Sequence, residues 1–193
     1  MLEIRKAAKE DKSQVWEIIK AVIATGDTYV FNPDSPKEKM LDYWFAADKK
    51  TYVALDENVI VGTFFLKDNQ PDLGSHVANA GYMVSQAAKG KRVGRRMCEY
   101  SLQEAKRLGY KAMQFNFVVK TNEIAVKLWL SLGFEIIGEI PEAFYHAENG
   151  LINAYISLEY FIVFIFFKRA QRGHDSPCQI APILGHSCVA QSG

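Results

Sequence analysis

A mixed α/β layer fold is predicted, on three observations. Segments with strand and helix periodicity follow in the order β-α-α-β-β-β-α-β-α-β-β. Antiparallel hairpins come first, and strand–helix–strand crossovers that favour parallel neighbours follow. A turn crowded with glycine and cations joins the fourth strand to the third helix. The expected product is an α/β fold with a central mixed sheet and helices on both faces. The 193 residues suit one domain with a sizeable core, and 49% hydrophobic and 23% charged content is ordinary for a soluble globular protein.

Residues 2–8 read as the first strand. Asp11 starts a helix with Gln14 as capping-box partner; Val15, Ile18, Ile19, Val22 and Ile23 share its apolar face, and Gly26 ends it. The loop 27–33 is unusually aromatic. Ser35-Pro36-Lys37-Glu38 opens a second helix, with Ser35 as cap and Met40, Leu41, Trp44 and Phe45 facing inward. Segments 51–55 and 59–66 form a hairpin, in which Gly62 signals a bulge or a close approach. A fourth strand covers about 76–84. The third helix starts near Gly94, buries Met97, Ser101, Leu102, Ala105 and Leu108, and closes at Gly109. Residues 111–119 form a buried strand. Asn122 or Thr121 caps a fourth helix, with Ala125, Leu128, Trp129 and Leu132 inward and Gly133 at its end. Strand 134–140, loop 141–150 and strand 151–158 complete the order.

The turn at 85–96 carries the clearest chemistry. Unsatisfied N–H groups at a helix N-terminus, the positive end of its dipole and nearby cations make an anion site. Gly90 and Gly94 remove a Cβ from the approach. Lys89, Lys91, Arg92, Arg95 and Arg96 add positive field. The turn reads either as a pyrophosphate cradle or as a solvated basic turn. The Gly-x-Gly-x-x-Gly pattern is missing, and no Gly-Lys-Ser/Thr follows. A net charge of +1 gives no global pull towards nucleic acid or membrane, so the local basic cluster suits one small anionic ligand. Three widely spaced cysteines form no disulfide framework, and the N-terminus lacks an apolar signal core; a reducing, cytoplasmic setting is expected.

Three segments in one order carry a family resemblance: the strand–turn–helix at 80–108; the strand Met113-Gln114-Phe115-Asn116-Phe117-Val118-Val119; and Asn122-x-x-Ala125-x-x-Leu128-Trp129-x-x-x-Gly133-Phe134. On these the chain resembles the GNAT (Gcn5-related) N-acetyltransferases over residues 2–158. The pairing of Gly26-Asp27-Thr28-Tyr29 with Asp42-Tyr43-Trp44 is similar to a GNAT subgroup that includes fungal acetyltransferases acting on toxic proline analogues. The resemblance implies the acyl-CoA N-acyltransferase fold and acetyl-CoA as co-substrate, with no metal. It implies that the amides of Arg92, Val93, Gly94 and Arg95 hold the pyrophosphate, with Lys89 and Gly90 at the turn entrance. Met83 and Val84 would bond the pantetheine arm, the Val84 N–H would polarise the thioester carbonyl, and Asn122 would contact the pantetheine side. Two departures stand out: Arg92 replaces the first glycine of the family's phosphate pattern, and Trp129 replaces the tyrosine that often protonates the leaving thiolate.

An amine acceptor must be deprotonated before it attacks. The fourth strand offers no carboxylate, so His76 or a water held by backbone carbonyls and Asn79 is the expected base. Asn116, read as buried and sharing a face with Val118, either orients the acceptor near the thioester or makes a structural hydrogen bond. Tyr29, Phe31, Tyr145 and His146 are expected on loops beside an aromatic acceptor pocket. The expected reaction is direct acetyl transfer to a primary or secondary amine of a small molecule in a ternary complex. The alternatives are a protein N-terminal or lysine acetyltransferase and a non-catalytic CoA-binding regulator. A domain spanning 1–158 is expected, followed by an atypical tail, 159–193. The apolar run 160–167 would extend the last strand or form a homodimer contact; residues 168–193 read as disordered, a non-native or frame-altered C-terminus being one explanation. The uneven spacing of His174, Cys178, His186 and Cys188 argues against zinc.

Overall fold

The computed structural model describes residues 2–161. Strands β1 (Glu3–Lys6), β2 (Lys50–Asp56), β3 (Val59–Asp68), β4 (Val77–Val84), β5 (Ala112–Val119), β6 (Glu135–His146) and β7 (Gly150–Tyr160) form one sheet in the order β1-β2-β3-β4-β5-β7-β6. Helices α1 (Lys12–Ile23) and α2 (Lys37–Trp44) precede β2, α3 (Val93–Arg107) joins β4 to β5, and α4 (Glu123–Ser131) joins β5 to β6. The predicted element order, mixed sheet and two helical layers are all present.

Alternation along the strands feeds two cores. Phe65 and Met83 face α1 and α2, where Val15, Ile19, Met40 and Trp44 are buried. Phe64, Met113 and Phe115 face α3, where Met97 and Ala105 are buried, and Val126 and Trp129 of α4 pack partly buried against them. Gly62 serves both predicted purposes. The β2–β3 register slips beside it, and a Cβ there would lie 2.8 Å from the Met97 sulfur. The α3 layer therefore lies directly on β3 at Gly62.

Several local expectations change. Asp11 forms no capping box with Gln14: its carboxylate accepts two bonds from the Arg5 guanidinium, at 2.7 and 2.9 Å, and the Ala8 N–H. Arg5 holds that carboxyl below its ordinary value. Ser35 does not cap α2; its hydroxyl is buried without a partner among the described residues, and Pro36 occupies the cap. The second crossover gives no parallel neighbour, because β7 hairpins back between β6 and β5, antiparallel to both. β6 continues through the predicted loop to His146, crossing an irregularity between Ile140 and Phe144. β7 runs to Tyr160, and the Phe161 N–H donates to the Lys111 carbonyl at 2.8 Å. The rest of the apolar run, the segment 168–193 and the four tail residues weighed for zinc lie outside the described residues. No helix among the described residues is long and apolar enough to cross a membrane.

Candidate active site

The sheet splits between its two central strands. β4 and β5 pair in parallel only at Val77–Ala112 and Ala78–Met113. Just beyond, the Asn79 carboxamide donates to the Gln114 carbonyl at 2.8 Å, a side chain taking the place of the next backbone bond. On its other edge β4 stays paired with β3 as far as Val84.

That asymmetry exposes backbone. The Ser85 N–H reaches the Val61 carbonyl and the Asn69 N–H reaches the Val77 carbonyl. With this register, odd-numbered β4 residues exchange their bonds with β3, and even-numbered residues turn theirs towards β5. Beyond the split, Tyr82 and Val84 therefore present N–H and C=O groups to the fork. Met83 does not: its backbone is spent on Thr63 and its side chain is buried, which corrects its expected pantetheine contact.

The basic turn leads from the open end of β4 into α3. Arg92 caps the helix with φ +61°, the left-handed conformation that glycine adopts without strain. Among the described residues, the N–H groups of Arg92, Val93, Gly94 and Arg95 make no intramolecular hydrogen bond; the next one, Arg96, closes back to Arg92. They form an open helix N-terminus whose positive dipole end suits an anion. Gly94 faces the Val84 and Leu128 side chains. The Arg95 guanidinium bonds the Ser131 hydroxyl of α4 at 2.6 Å, which ties the two helices flanking this opening. A cavity of about 430 Å³ lies against the turn, lined by Lys91, Arg92, Arg95 and Arg96 with Asp56 and Glu99. Gly90 has φ +83° and follows Lys89 at the turn entrance. Asn122 caps α4: its side-chain oxygen accepts the Ala125 N–H at 3.2 Å.

On the α1–α2 face the fork is lined by side chains. The Tyr29 hydroxyl donates to the Tyr82 carbonyl at 2.9 Å, an approach that the missing Cβ of Gly81 permits. Burial pushes the Tyr29 phenol well above its ordinary range. Phe31 stacks on Tyr29 and meets Tyr43 edge-on. Opposite, Asn116 stands in a bulge of β5 between Phe115 and Val118. The bulge breaks alternation: Val118 joins the α3-side core, whereas Asn116 is exposed and donates to Asn69 at 2.7 Å while accepting from Gln114 at 2.8 Å. The expectation of a buried Asn116 sharing a face with Val118 is corrected, although the residue does lie at the fork.

Two other expectations fail on position. His76 precedes β4 at its closed end, roughly 26 Å from Val84 at ~3.3 Å per residue, and it contacts the Leu73 carbonyl. It does not reach the fork. Tyr145 is 74% exposed and lies on the opposite side of β6 from buried Phe144 and from His146, so it does not line this face. His146 does, but its ring nitrogen Nε2 contacts Asp27 at 3.2 Å. Trp129 packs into an aromatic cluster, 5.2 Å from Tyr82 and 4.9 Å from Phe115 between ring centres. The Tyr82 hydroxyl is tied to Ser101 at 2.6 Å, and burial raises its phenol well above the usual value. Burial also pushes the Cys98 thiol up to about 12, so it is not a nucleophile near neutral pH.

A family model described as the acetyltransferase (GNAT) family matches this chain over residues 16–134. The chain belongs to that family. Its members are acetyl-CoA-dependent acyltransferases. A GCN5-related N-acetyltransferase from Kribbella flavida is 36% identical and superposes with a TM-score of 0.78, covering 82% of this chain and 97% of that one. N-acetyltransferase aca1 of Schizosaccharomyces pombe is 36% identical over 98 residues, 50% of this chain and 47% of that protein. The chain thus spans about half the length of that curated relative. The yncA protein of Salmonella typhimurium, solved with its cofactor acetyl-CoA, shares the fold at 19% identity with a TM-score of 0.73, over 92% of this chain and 98% of that one.

Sequence reasoning missed Gly81, Asp27 and Asn69. A glycine inside a strand was a usable signal for close approach, as at Gly62. Nothing in the sequence paired Asp27 with His146, which are 119 positions apart.

Proposed function

We propose that the chain is an acetyl-CoA-dependent N-acetyltransferase whose acceptor is a primary or secondary amine of a small molecule, reacting directly in a ternary complex. One observation carries this reading: the fork opens towards α3 on one side, through backbone N–H groups, and towards Tyr29, Asn79 and Asn116 on the other. Two faces with different chemistry suit two substrates meeting in the gap.

The N–H groups of Arg92 to Arg95 and the cations beside them would hold the pyrophosphate, and Asn122 the pantetheine side. Acetyl-CoA supplies the activated acetyl group. The Val84 N–H, which β3 does not use, would stabilise the oxygen that gains charge when the acceptor nitrogen attacks. Asn116 orients the acceptor. With His76 out of reach, the base is a water relay held along the fork by backbone carbonyls and Asn79. Neither fork tyrosine is spare to protonate the leaving group, and a thiol of pKa about 8.5 leaves without one.

The test follows thiol release with acetyl-CoA and a panel of compact amines, beside thermal unfolding with and without acetyl-CoA. Turnover with stabilisation is expected. Stabilisation without turnover on any amine or peptide would favour a CoA-binding regulator, the reading that Trp129 supports. Turnover on peptides alone would favour a protein acetyltransferase.

A further inference from the structure

Two arms meet over the fork on its acceptor face. One is the loop after α1, which carries Asp27 and sets the Tyr29 hydroxyl on the Tyr82 carbonyl of β4. The other is the tip of the β6–β7 hairpin, which belongs to the β5 half of the sheet: Phe144 packs with Phe117 of β5, and His146 follows two residues on, on the same side. They touch through His146 Nε2 and Asp27 Oδ1 at 3.2 Å.

The histidine is oriented for this contact. Its Nδ1 lies 3.1 Å from the Glu148 N–H and 3.3 Å from the Asn149 N–H, with the Asn149 carboxamide nitrogen at 3.2 Å. All are donors, so Nδ1 accepts and the neutral ring carries its proton on Nε2, directed at Asp27. The His146 side chain is 12% exposed and the Asp27 side chain 55%. The hairpin turn therefore builds the donor, and Asp27 supplies an acceptor from across the gap. Beneath the contact, β4 and β5 share no ladder hydrogen bonds.

We propose that Asp27 and His146 form a clasp that holds the two halves of the acceptor pocket together and restricts it to compact amines. The inference rests on the proposed amine-acetylating function. His146 is then a positioning residue that acts through Asp27, in place of the substrate contact expected from sequence. The contact would obstruct an extended peptide, whereas a compact amine would need to reach only the fork beside Tyr29 and Asn116.

Asp27→Ala and Asp27→Asn separate the clasp from general damage, since the asparagine oxygen still accepts from Nε2–H. In the full chain, Asp27→Ala is expected to keep its Tm and its stabilisation by acetyl-CoA. It should raise KM for a compact amine about five-fold with little change in kcat, and shift kcat/KM towards a bulkier amine or short peptide. Asp27→Asn should restore most of the wild-type preference. Amide hydrogen exchange gives a readout independent of turnover: Asp27→Ala should speed exchange in both 24–33 and 146–150. Unchanged exchange in both arms would overturn the clasp whatever the activity. Faster exchange with an unchanged amine preference would overturn its role in selectivity. Faster exchange in a protein that acetylates no amine would sink the proposed function and the selectivity claim with it, leaving only the contact between the arms.

Discussion

The two faces of the fork are built from different materials. Towards α3 the chain offers backbone: four N–H groups at a helix start, unpaired among the described residues, and the Val84 N–H at a strand edge. Towards α1 and α2 it offers side chains: the phenol of Tyr29 and the carboxamides of Asn69, Asn79, Gln114 and Asn116. A backbone site tolerates changes of residue so long as the path of the chain survives. Arg92 shows this, since it holds a left-handed conformation in the position where the family resemblance leads one to expect glycine. A side-chain site changes with every substitution. The donor face is thus expected to be generic and the acceptor face particular to this chain.

The sharpest break of this comparison is Val84→Pro. It removes the N–H assigned as oxyanion donor and leaves the β3 ladder intact, because β3 does not use that group. A loss of about 100-fold or more in kcat with a folded protein is expected; full kcat would exclude Val84 as the oxyanion donor. Next comes Glu104→Gln, which tests how α3 is seated. The Glu104 carboxylate is buried, bonded to the Arg107 guanidinium at 2.7 and 2.8 Å and to the Tyr52 hydroxyl at 2.8 Å, and these partners hold it down at about 2. A depressed carboxyl contributes stability that is present above its ordinary range near 4.5 and is lost as pH falls towards 2. Urea unfolding should show the variant less stable by roughly 2 kcal/mol at neutral pH, with the gap narrowing as the wild type is acidified through that window.

Asn116→Ala is expected to lower kcat/KM for the acceptor about ten-fold while stabilisation by acetyl-CoA stays unchanged. Full acceptor kcat/KM in the folded variant would assign the residue to structure alone. The smallest effect expected is a gain. Arg92→Gly should relieve the Cβ in the left-handed position and raise stability by about 1 kcal/mol, read from Tm, while calorimetry finds acetyl-CoA affinity changed only modestly. A large loss of affinity would mean that the Arg92 side chain, and not the backbone alone, holds the anion.

What was legible in the sequence tracks how local the cause is. The order of strands and helices, the open start of α3 near Gly94 and the Asn122 cap of α4 each depend on a few neighbouring residues. The errors share an opposite cause. Asp11 fits a helix cap by local pattern, yet Arg5 and the Ala8 N–H capture its carboxylate. Asn116 fits a buried alternating strand, yet it shares an open face with Gln114 where β5 has left β4, and the bulge against β7 turns Val118 to the other side.

Sequence by itself determined the element order, the two apolar faces of the sheet and the basic, glycine-bearing turn, because periodicity, capping and backbone freedom act within a few residues. Tertiary structure alone decided where β4 leaves β5, which β4 amides face the gap, and that His146 meets Asp27 rather than standing free. Those outcomes depend on register between strands distant in the chain, and a shift of one residue reverses the direction of every backbone group and side chain along a strand.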